Sequence, residues 1–293
     1  MENPMKPMLK YPGGKSRELE IIAPKNLDLF SSSHIPKFKR YIEPFVGGGA
    51  LFFDLAHTPS IVNDVNSKLI NFYRDVRDNY DLVIDQLTTI KEMYEANSLD
   101  LQDKIKQAPS VKHRDLNKEL YFELRNEFNK PTGKWLDSVL YYFINRTAFS
   151  GAIRYNRSGE FNQSFAFYPS FNIHIKKEHS TLLQNTEIYN DDYSSIFDKV
   201  QADDFIFLDP PYDSIFYEYG NLKTVDDSNE AFQRRLANDY KNLHCPALMV
   251  VSKTPLIQEL YAPFIKQSYD KRYSVNYKNS VNATAEHVII KNY

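Results

Sequence analysis

Along the chain, short apolar runs alternate with stretches whose apolar residues recur every three or four positions. The runs at 41–46 (YIEPFV), 60–64 (SIVND), 205–208 (FIFL) and 246–253 (PALMVVSK) read as strands, and 185–193 (NTEIYNDDY) as a strand ending in two acids. Periodicity alone does not separate FIFL from a buried helical segment. Helical spacing marks Leu51, Phe52 and Leu55, then Val65, Leu69, Phe72 and Val76, then Leu116, Leu120, Leu124 and Phe128. Leu136, Leu140 and Ile144 mark a further helix, and Phe232, Leu236, Tyr240 and Leu243 another. Ser16 is placed to cap a helix over RELEIIAP, and Asp227 with Glu230 to form a reciprocal cap before Phe232. The end of the chain, KRYSVNYK through HVIIKNY, reads as two paired strands around a loop at 279–286.

Strands alternating with helices predict an α/β fold with a parallel sheet. Between about 77 and 160 the pattern is mainly helical, and no internal repeat or Gly/Ser-rich linker divides the chain. An insertion at 77–170 within one core made of 1–76 and 171–293 accounts for this better than two tandem domains. Residues 97–115 are polar without clear period and are expected to form a mobile or loosely helical surface segment. At 145–167 the texture changes. Arg146, Arg154 and Arg157 alternate with Phe149, Tyr155, Phe161 and Phe165 around Ser158-Gly159, a pair that suits a hairpin turn. Two readings stay open there: a strand or loop entering a nucleic-acid groove, or aromatics packed in a core with satisfied arginines.

Composition narrows the classes. A chain of 293 residues, 42% hydrophobic and 25% charged, is an ordinary water-soluble globular protein with room for a large core. The net charge of -2 provides no global pull on a polyanion, so a nucleic-acid partner has to meet a local basic surface. Residues 1–40 hold eight Lys or Arg against four acids and 101–160 hold eleven against seven, surfaces that read equally well as solvated faces. The lone Cys245 excludes an internal disulfide and a thiolate zinc site, and no metal is expected. Neither a signal peptide nor an apolar run of membrane-spanning length is present, so a cytoplasmic location follows by default. Twenty-one Tyr and twenty Phe exceed ordinary usage; many must be packing residues, while exposed ones are suited to stacking on bases.

Candidate chemistry gathers at four places. KYPGGKS at 10–16 is a lysine-bearing glycine turn without the GxxxxGK[ST] spacing of a phosphate loop. Gly47–Gly49 let the backbone pass close to a ligand, and Asp64 follows about fifteen residues later, where dinucleotide-type folds place the acid that holds ribose hydroxyls. With no GxGxxG, a ligand bearing a ribose but no phosphate fits best. DPPY at 209–212 ends the FIFL strand, at the edge where open α/β sheets bind ligands.

The ordered set KYPGGKS, EPFVGGGALFF, NDVNSKLI, NRTAFSGAIRYNRSGEFN, NDDY and DPPY resembles the Dam-type, alpha-group DNA adenine-N6 methyltransferases over nearly the whole chain. The resemblance implies a Rossmann-like class I core dependent on S-adenosylmethionine, with a mainly helical target-recognition domain and hairpin inserted at 77–170. It implies double-stranded DNA as partner and no nuclease segment, so any restriction endonuclease would be a separate protein. By resemblance, Tyr11 and Lys15 lie over the cofactor, the Phe45, Gly47 and Gly49 turn passes its methionine portion, Asp64 accepts from its ribose, and Asp192 touches its adenine. Asp209, Pro210, Pro211 and Tyr212 form the catalytic turn. Adenine N6 is a poor nucleophile because its lone pair is delocalised. Asp209 and the Pro210 carbonyl would each accept one amino hydrogen, the prolines would fix that carbonyl, and Tyr212 would stack on the base. Because a duplex hides this nitrogen, the base is expected to flip out, with direct transfer of the methyl group.

The same resemblance assigns Arg146, Phe149, Ser150, Arg154, Tyr155, Arg157 and Asn162 to DNA, with Arg154 reading a guanine edge. Relatives that methylate GATC commonly carry Tyr-Asn-Gly where this chain has Phe149, Ser150 and Gly151, and serine cannot make the bidentate contact of an asparagine amide. Lys10, Lys25, Lys37, Lys39, Arg40, Lys271 and Arg272 are candidates for phosphate contacts. DPPY geometry would serve RNA, cytosine N4 or a glutamine amide as well, and a non-catalytic binder with the same fold is a further alternative.

Overall fold

The computed structural model describes residues 4–24, 35–149, 154–212, 229–272 and 284–293. Seven strands form one sheet: β1 (Tyr41–Glu43), β2 (Ser60–Asn63), β3 (Thr186–Tyr189), β4 (Phe205–Leu208), β5 (Ala247–Ser252), β6 (Ile265–Arg272) and β7 (Thr284–Lys291). Their order is β3-β2-β1-β4-β5-β7-β6, parallel throughout except for β7, which runs against both neighbours. This is the Rossmann-like arrangement that the resemblance implied. The chain winds outward from β1 to β3 and then, from β4, outward the other way, so the order reverses between β1 and β4. Ligand crevices open at such a switch point, beyond the carboxyl ends of the strands.

The pleat explains why FIFL is a strand. Phe205 and Phe207 point into one core with Tyr41, Val62, Leu248 and Val250, while Ile206 and Leu208 join Ile42, Ile61, Met249 and Val251 in the other. Both faces are covered, so the run is apolar at every position. The second core is closed by α8 (Ser194–Phe197), α9 (Asn229–Lys241) and α10 (Pro255–Tyr261). The first takes α2 (Ala50–Leu55), α3 (Ser67–Asp78) and α7 (Lys177–Gln184), and continues without a break into α4 (Tyr80–Gln107), α5 (Leu116–Asn129) and α6 (Asp137–Thr147). Helices of the 77–170 segment therefore share one core with this face of the sheet.

The local expectations fare unevenly. The segment at 97–115, expected to be mobile or loosely helical at the surface, is helical as far as Gln107: α4 buries only Val83, Leu87, Ile90 and Tyr94 and then runs on in solvent without an apolar stripe. Its exposed part carries charge pairs at helical spacing, such as Lys104 with Asp100 at 2.7 Å. Ser16 does not cap a helix: Lys15–Arg17 form a 3-10 turn, and α1 (Leu19–Ile22) follows from Glu18 without a side-chain cap. Phe161 and Phe165 belong to the core at 2% and 4% exposure, so the packing reading holds for these two aromatics. They still sit in a hairpin, paired at Tyr155 with Phe161 and Ala148 with Phe165, whose turn places Gly159 at φ +76°. Asp227, Lys25, Ser150, Gly151 and the side chain of Arg272 lie outside the described residues.

Candidate active site

Asp209 emerges from the carboxyl end of β4, beside the switch point, with its side chain 22% exposed. Lys15, only 2% exposed, donates from Nζ to Asp209 Oδ1 at 2.5 Å and to the Tyr212 hydroxyl at 2.7 Å. Expected over the cofactor, Lys15 thus has its ammonium on DPPY itself. Burial pushes the Asp209 carboxyl up, opposed by the charge and hydrogen bond of Lys15, and the net direction is upward. Among the described residues nothing donates to Asp209 Oδ2.

Behind Lys15 lies a network that sequence reading missed. Glu18 accepts from Lys271 Nζ on Oε1 at 2.6 Å and from the Tyr269 hydroxyl on Oε2 at 2.5 Å, and His287 Nδ1 lies 3.2 Å from the same Oε2. Burial alone would raise the Glu18 carboxyl, but its bond to His287, the Lys15 charge and the bonds from Lys271 and Tyr269 outweigh it and hold the group down at about 2. Lys271, a phosphate candidate by sequence, is instead this buried partner, because β6 brings it beneath the 13–18 turn. Glu43, at the end of β1, is 2% exposed, accepts from the Tyr41 hydroxyl at 2.7 Å, and is pushed well up by burial. A carboxylate interrupting an apolar strand was the one sequence signal for it.

The glycine turn is set by Asp64 and Tyr11. Asp64, directly after β2, accepts from Gly47 N at 3.0 Å and Asn66 N at 2.9 Å. Burial raises its carboxyl to about 6 against those two backbone donors. Gly47 and Gly49 have φ of +46° and +66°, and a Cβ on Gly47 would come within 2.8 Å of the Tyr11 ring. The ring thus lies on the turn, as close backbone approach requires. Lys10 ties the same segment to α6 by a two-way pairing with the Asn145 amide, 2.9 and 2.7 Å. Phe45 packs on Tyr193 and Phe232, with ring centroids 5.3 and 6.2 Å apart. Asp192 is exposed, accepts from Ser194 N and Oγ, and pairs with Arg235 of α9 at 2.9 Å. Burial would raise its carboxyl, but Ser194 and Arg235 bring it below the usual range.

The DNA candidates divide. Arg154 and Arg157 are exposed without an ion pair among the described residues, and Phe149 is 59% exposed. Arg146 and Tyr155 are half-buried; Arg146 lines a cleft of about 180 Å³ with Lys10 and Tyr168. Asn162 donates its backbone N–H to the Arg154 carbonyl at 3.0 Å, and its side-chain Oδ1 is buried without a partner among the described residues. Arg40 is a structural residue at the amino edge of the sheet, opposite Asp209, where it forks onto the fully buried Asp204 at 2.8 and 2.7 Å. Lys39, beside it, pairs loosely with Asp203 at 3.7 Å.

The type II methyltransferase M.CviBI of a Paramecium bursaria Chlorella virus is 30% identical over 304 aligned residues, which cover 99% of this chain and 100% of that one. The type II methyltransferase M.MjaIII of Methanocaldococcus jannaschii is 33% identical over 258 residues, 82% of this chain and 80% of that one. The DNA adenine methylase of Escherichia coli is 27% identical over 262 residues, covering 86% and 83%. Residues 11–279 match the D12 class N6 adenine-specific DNA methyltransferase family, from the Tyr11 turn through DPPY and into the last pair of strands. The chain therefore belongs to that family and is an S-adenosylmethionine-dependent enzyme that methylates adenine N6 in DNA.

Proposed function

We propose that this methyltransferase acts at a specific sequence of double-stranded DNA, on an adenine turned out of the duplex, with Asp209 and the Pro210 carbonyl gripping its amino group. The observation that carries the reading is the pair of oxygens on Asp209: Oδ1 bonds a cationic N–H donor, Lys15, while Oδ2 takes no donor from the described residues on a side chain that is 22% exposed. An amine that gains positive charge as it attacks is held more tightly in the transition state than in the ground state by such an acceptor. Lys15 works against the protonation that burial favours on Asp209 and leaves Oδ2 for the base, while its bond to the Tyr212 hydroxyl holds a ring on which the base can stack.

The residues present fit S-adenosylmethionine. Asp64 spends two of its lone-pair directions on Gly47 and Asn66, which leaves acceptors for two ribose hydroxyls. Tyr11 and the Gly47–Gly49 backbone would border the methionine portion, and Phe45 offers an apolar wall. With Asp192 Oδ1 taken twice by Ser194 and Oδ2 paired with Arg235, this acid would reach the adenine amine only on leaving Arg235 or through the remaining lone pair of Oδ2. When bound, the cofactor supplies a methyl group already activated on sulfonium, so no residue of the chain needs to act as a covalent nucleophile.

In the same reading, residues 77–170 form the target-recognition insertion. Arg154 and Arg157, exposed on the hairpin, meet the DNA, with Arg154 on a base edge, while Arg146, Phe149, Tyr155 and Asn162 border the opened duplex. The names of the two type II relatives support a role as modification partner of a separate restriction endonuclease. Among the described residues no helix is long and apolar enough to cross a membrane. The test is single-molecule sequencing of DNA from cells expressing the protein. N6-methyladenine at one recurring sequence is the expected result; label confined to RNA, cytosine or protein after incubation with labelled cofactor would overturn it.

A further inference from the structure

The turn after Asp209 presents three successive carbonyls, those of Pro210, Pro211 and Tyr212. Two of them are occupied from one helix: Gln233 Nε2 donates to the Pro211 carbonyl at 2.7 Å and Asn229 Nδ2 to the Tyr212 carbonyl at 2.8 Å. The two carboxamides stand four residues apart on α9 and so share a face. Phe232, Leu236, Ala237 and Tyr240 anchor that helix in the core. Among the described residues nothing donates to the Pro210 carbonyl. Gln233 itself is fully buried, and its Oε1 has no partner among the described residues. A buried acceptor left unpaired costs about 1–3 kcal/mol, so an apolar side chain of similar volume would serve packing better. What glutamine adds at this position is its N–H.

We infer that Gln233, seconded by Asn229, is a positioning residue of the methyl transfer. By tying down the Pro211 and Tyr212 carbonyls, α9 fixes the turn so that the Pro210 carbonyl alone stays open, beside Asp209 Oδ2, for the second hydrogen of the target amine. The proline rings fix φ on the strand side, and the carboxamides fix the turn on the helix side. This inference rests on the proposed grip of Asp209 and Pro210 on the amine, and the experiment separates the two.

Gln233→Met, Gln233→Glu and Asp209→Asn are compared with the unaltered protein for single-turnover methyl transfer, for dissociation constants of cofactor and duplex DNA at fixed salt, and for thermal midpoint. In Gln233→Met the transfer rate is expected to fall about 10- to 100-fold, the scale of a misplacement of about 1 Å. Both dissociation constants stay within about threefold, and the midpoint is unchanged or raised. In Gln233→Glu a protonated carboxyl still donates to the Pro211 carbonyl and an ionised one does not, and burial raises its pKa. Its rate relative to the unaltered protein is therefore expected to rise about fivefold or more from about pH 8.5 to pH 6, with the midpoint followed at each pH. An unchanged rate in Gln233→Met, a flat ratio in Gln233→Glu, or loss of cofactor binding together with the fold would overturn the inference. Should Asp209→Asn silence transfer while Gln233→Met does not, only this inference fails; full activity in Asp209→Asn would remove the underlying reading as well.

Discussion

The carboxyl edge of the sheet and the hairpin of residues 145–165 handle charge in opposite ways. At the sheet edge, charged groups are buried and spent on one another: Lys15 on Asp209, Lys271 on Glu18, Asp64 on backbone N–H groups. On the hairpin Phe161 and Phe165 are buried in the core, while Arg154 and Arg157 stand in solvent beside the exposed Phe149. The first arrangement fixes geometry before any ligand arrives, which is what transition-state stabilisation requires. The second leaves donors without an ion pair among the described residues, which suits a partner that supplies its own acceptors, such as DNA. In the proposed reading, chemistry and address thus lie on surfaces of different physical character.

The largest expected break in this contrast is Asp209→Ala. Removing the carboxylate should lower methyl transfer on the order of 10³-fold or more, with cofactor affinity within a few fold. Complete loss of cofactor binding in a calorimetric titration would show instead that the buried edge holds the donor, not the amine. Next come changes read in stability. Glu18→Ala strands Lys271 in a buried site and should cost about 3–5 kcal/mol in denaturant unfolding. Phe161→Ala should cost about 3–5 kcal/mol as well, whereas Phe149→Ala, at 59% exposure, should stay within about 0.5 kcal/mol. Equal costs for the two phenylalanines would erase the distinction between buried rings and exposed contacts on the hairpin.

That distinction marks the limit of what the sequence discloses. FIFL and SIVN announce buried strands because the surrounding polar context makes apolar runs conspicuous, and Asp64 and Asp209 follow because each ends such a run. The aromatics between 149 and 165 look alike in one dimension, and only the register of Tyr155 with Phe161 and Ala148 with Phe165 decides which rings turn inward. Glu18 lies more than 250 residues from both Lys271 and His287, and no spacing rule connects them. Gln233 reads as one more polar residue between Phe232 and Leu236, because the feature that distinguishes it is a carbonyl 22 residues away. The second half of α4, an exposed helix without an apolar period, reads from the sequence only as a mobile or loosely helical segment.

A smaller effect sharpens the address side. Arg154→Ala should relax discrimination at one base pair by about 1–3 kcal/mol, measured as the ratio of methylation rates at cognate and singly altered sites. Arg157→Ala should weaken binding to all sequences alike and reduce the salt dependence of affinity by about one counterion. Unchanged preference at every altered site in Arg154→Ala would assign the reading to another residue of the hairpin.

The finest test uses pH, to which exposed arginines are indifferent and the buried edge is not. Asp64 stands at about 6 because burial outweighs its bonds from Asn66 and Gly47. An acid whose folded pKa is raised favours its protonated form in the fold, so its contribution to stability is present at low pH and lost as pH climbs through about 6. Cofactor binding runs the other way, because the carboxylate is the form that accepts two ribose hydroxyls. Affinity for S-adenosylmethionine is therefore expected to be level above about pH 7 and to weaken by at most about tenfold for each pH unit below 6. In Asp64→Asn the affinity should be lower and flat over the same range. If the unaltered protein binds equally well at pH 5 and pH 8, the Asp64 carboxylate does not hold the ribose, and its work is confined to bracing the Gly47 turn.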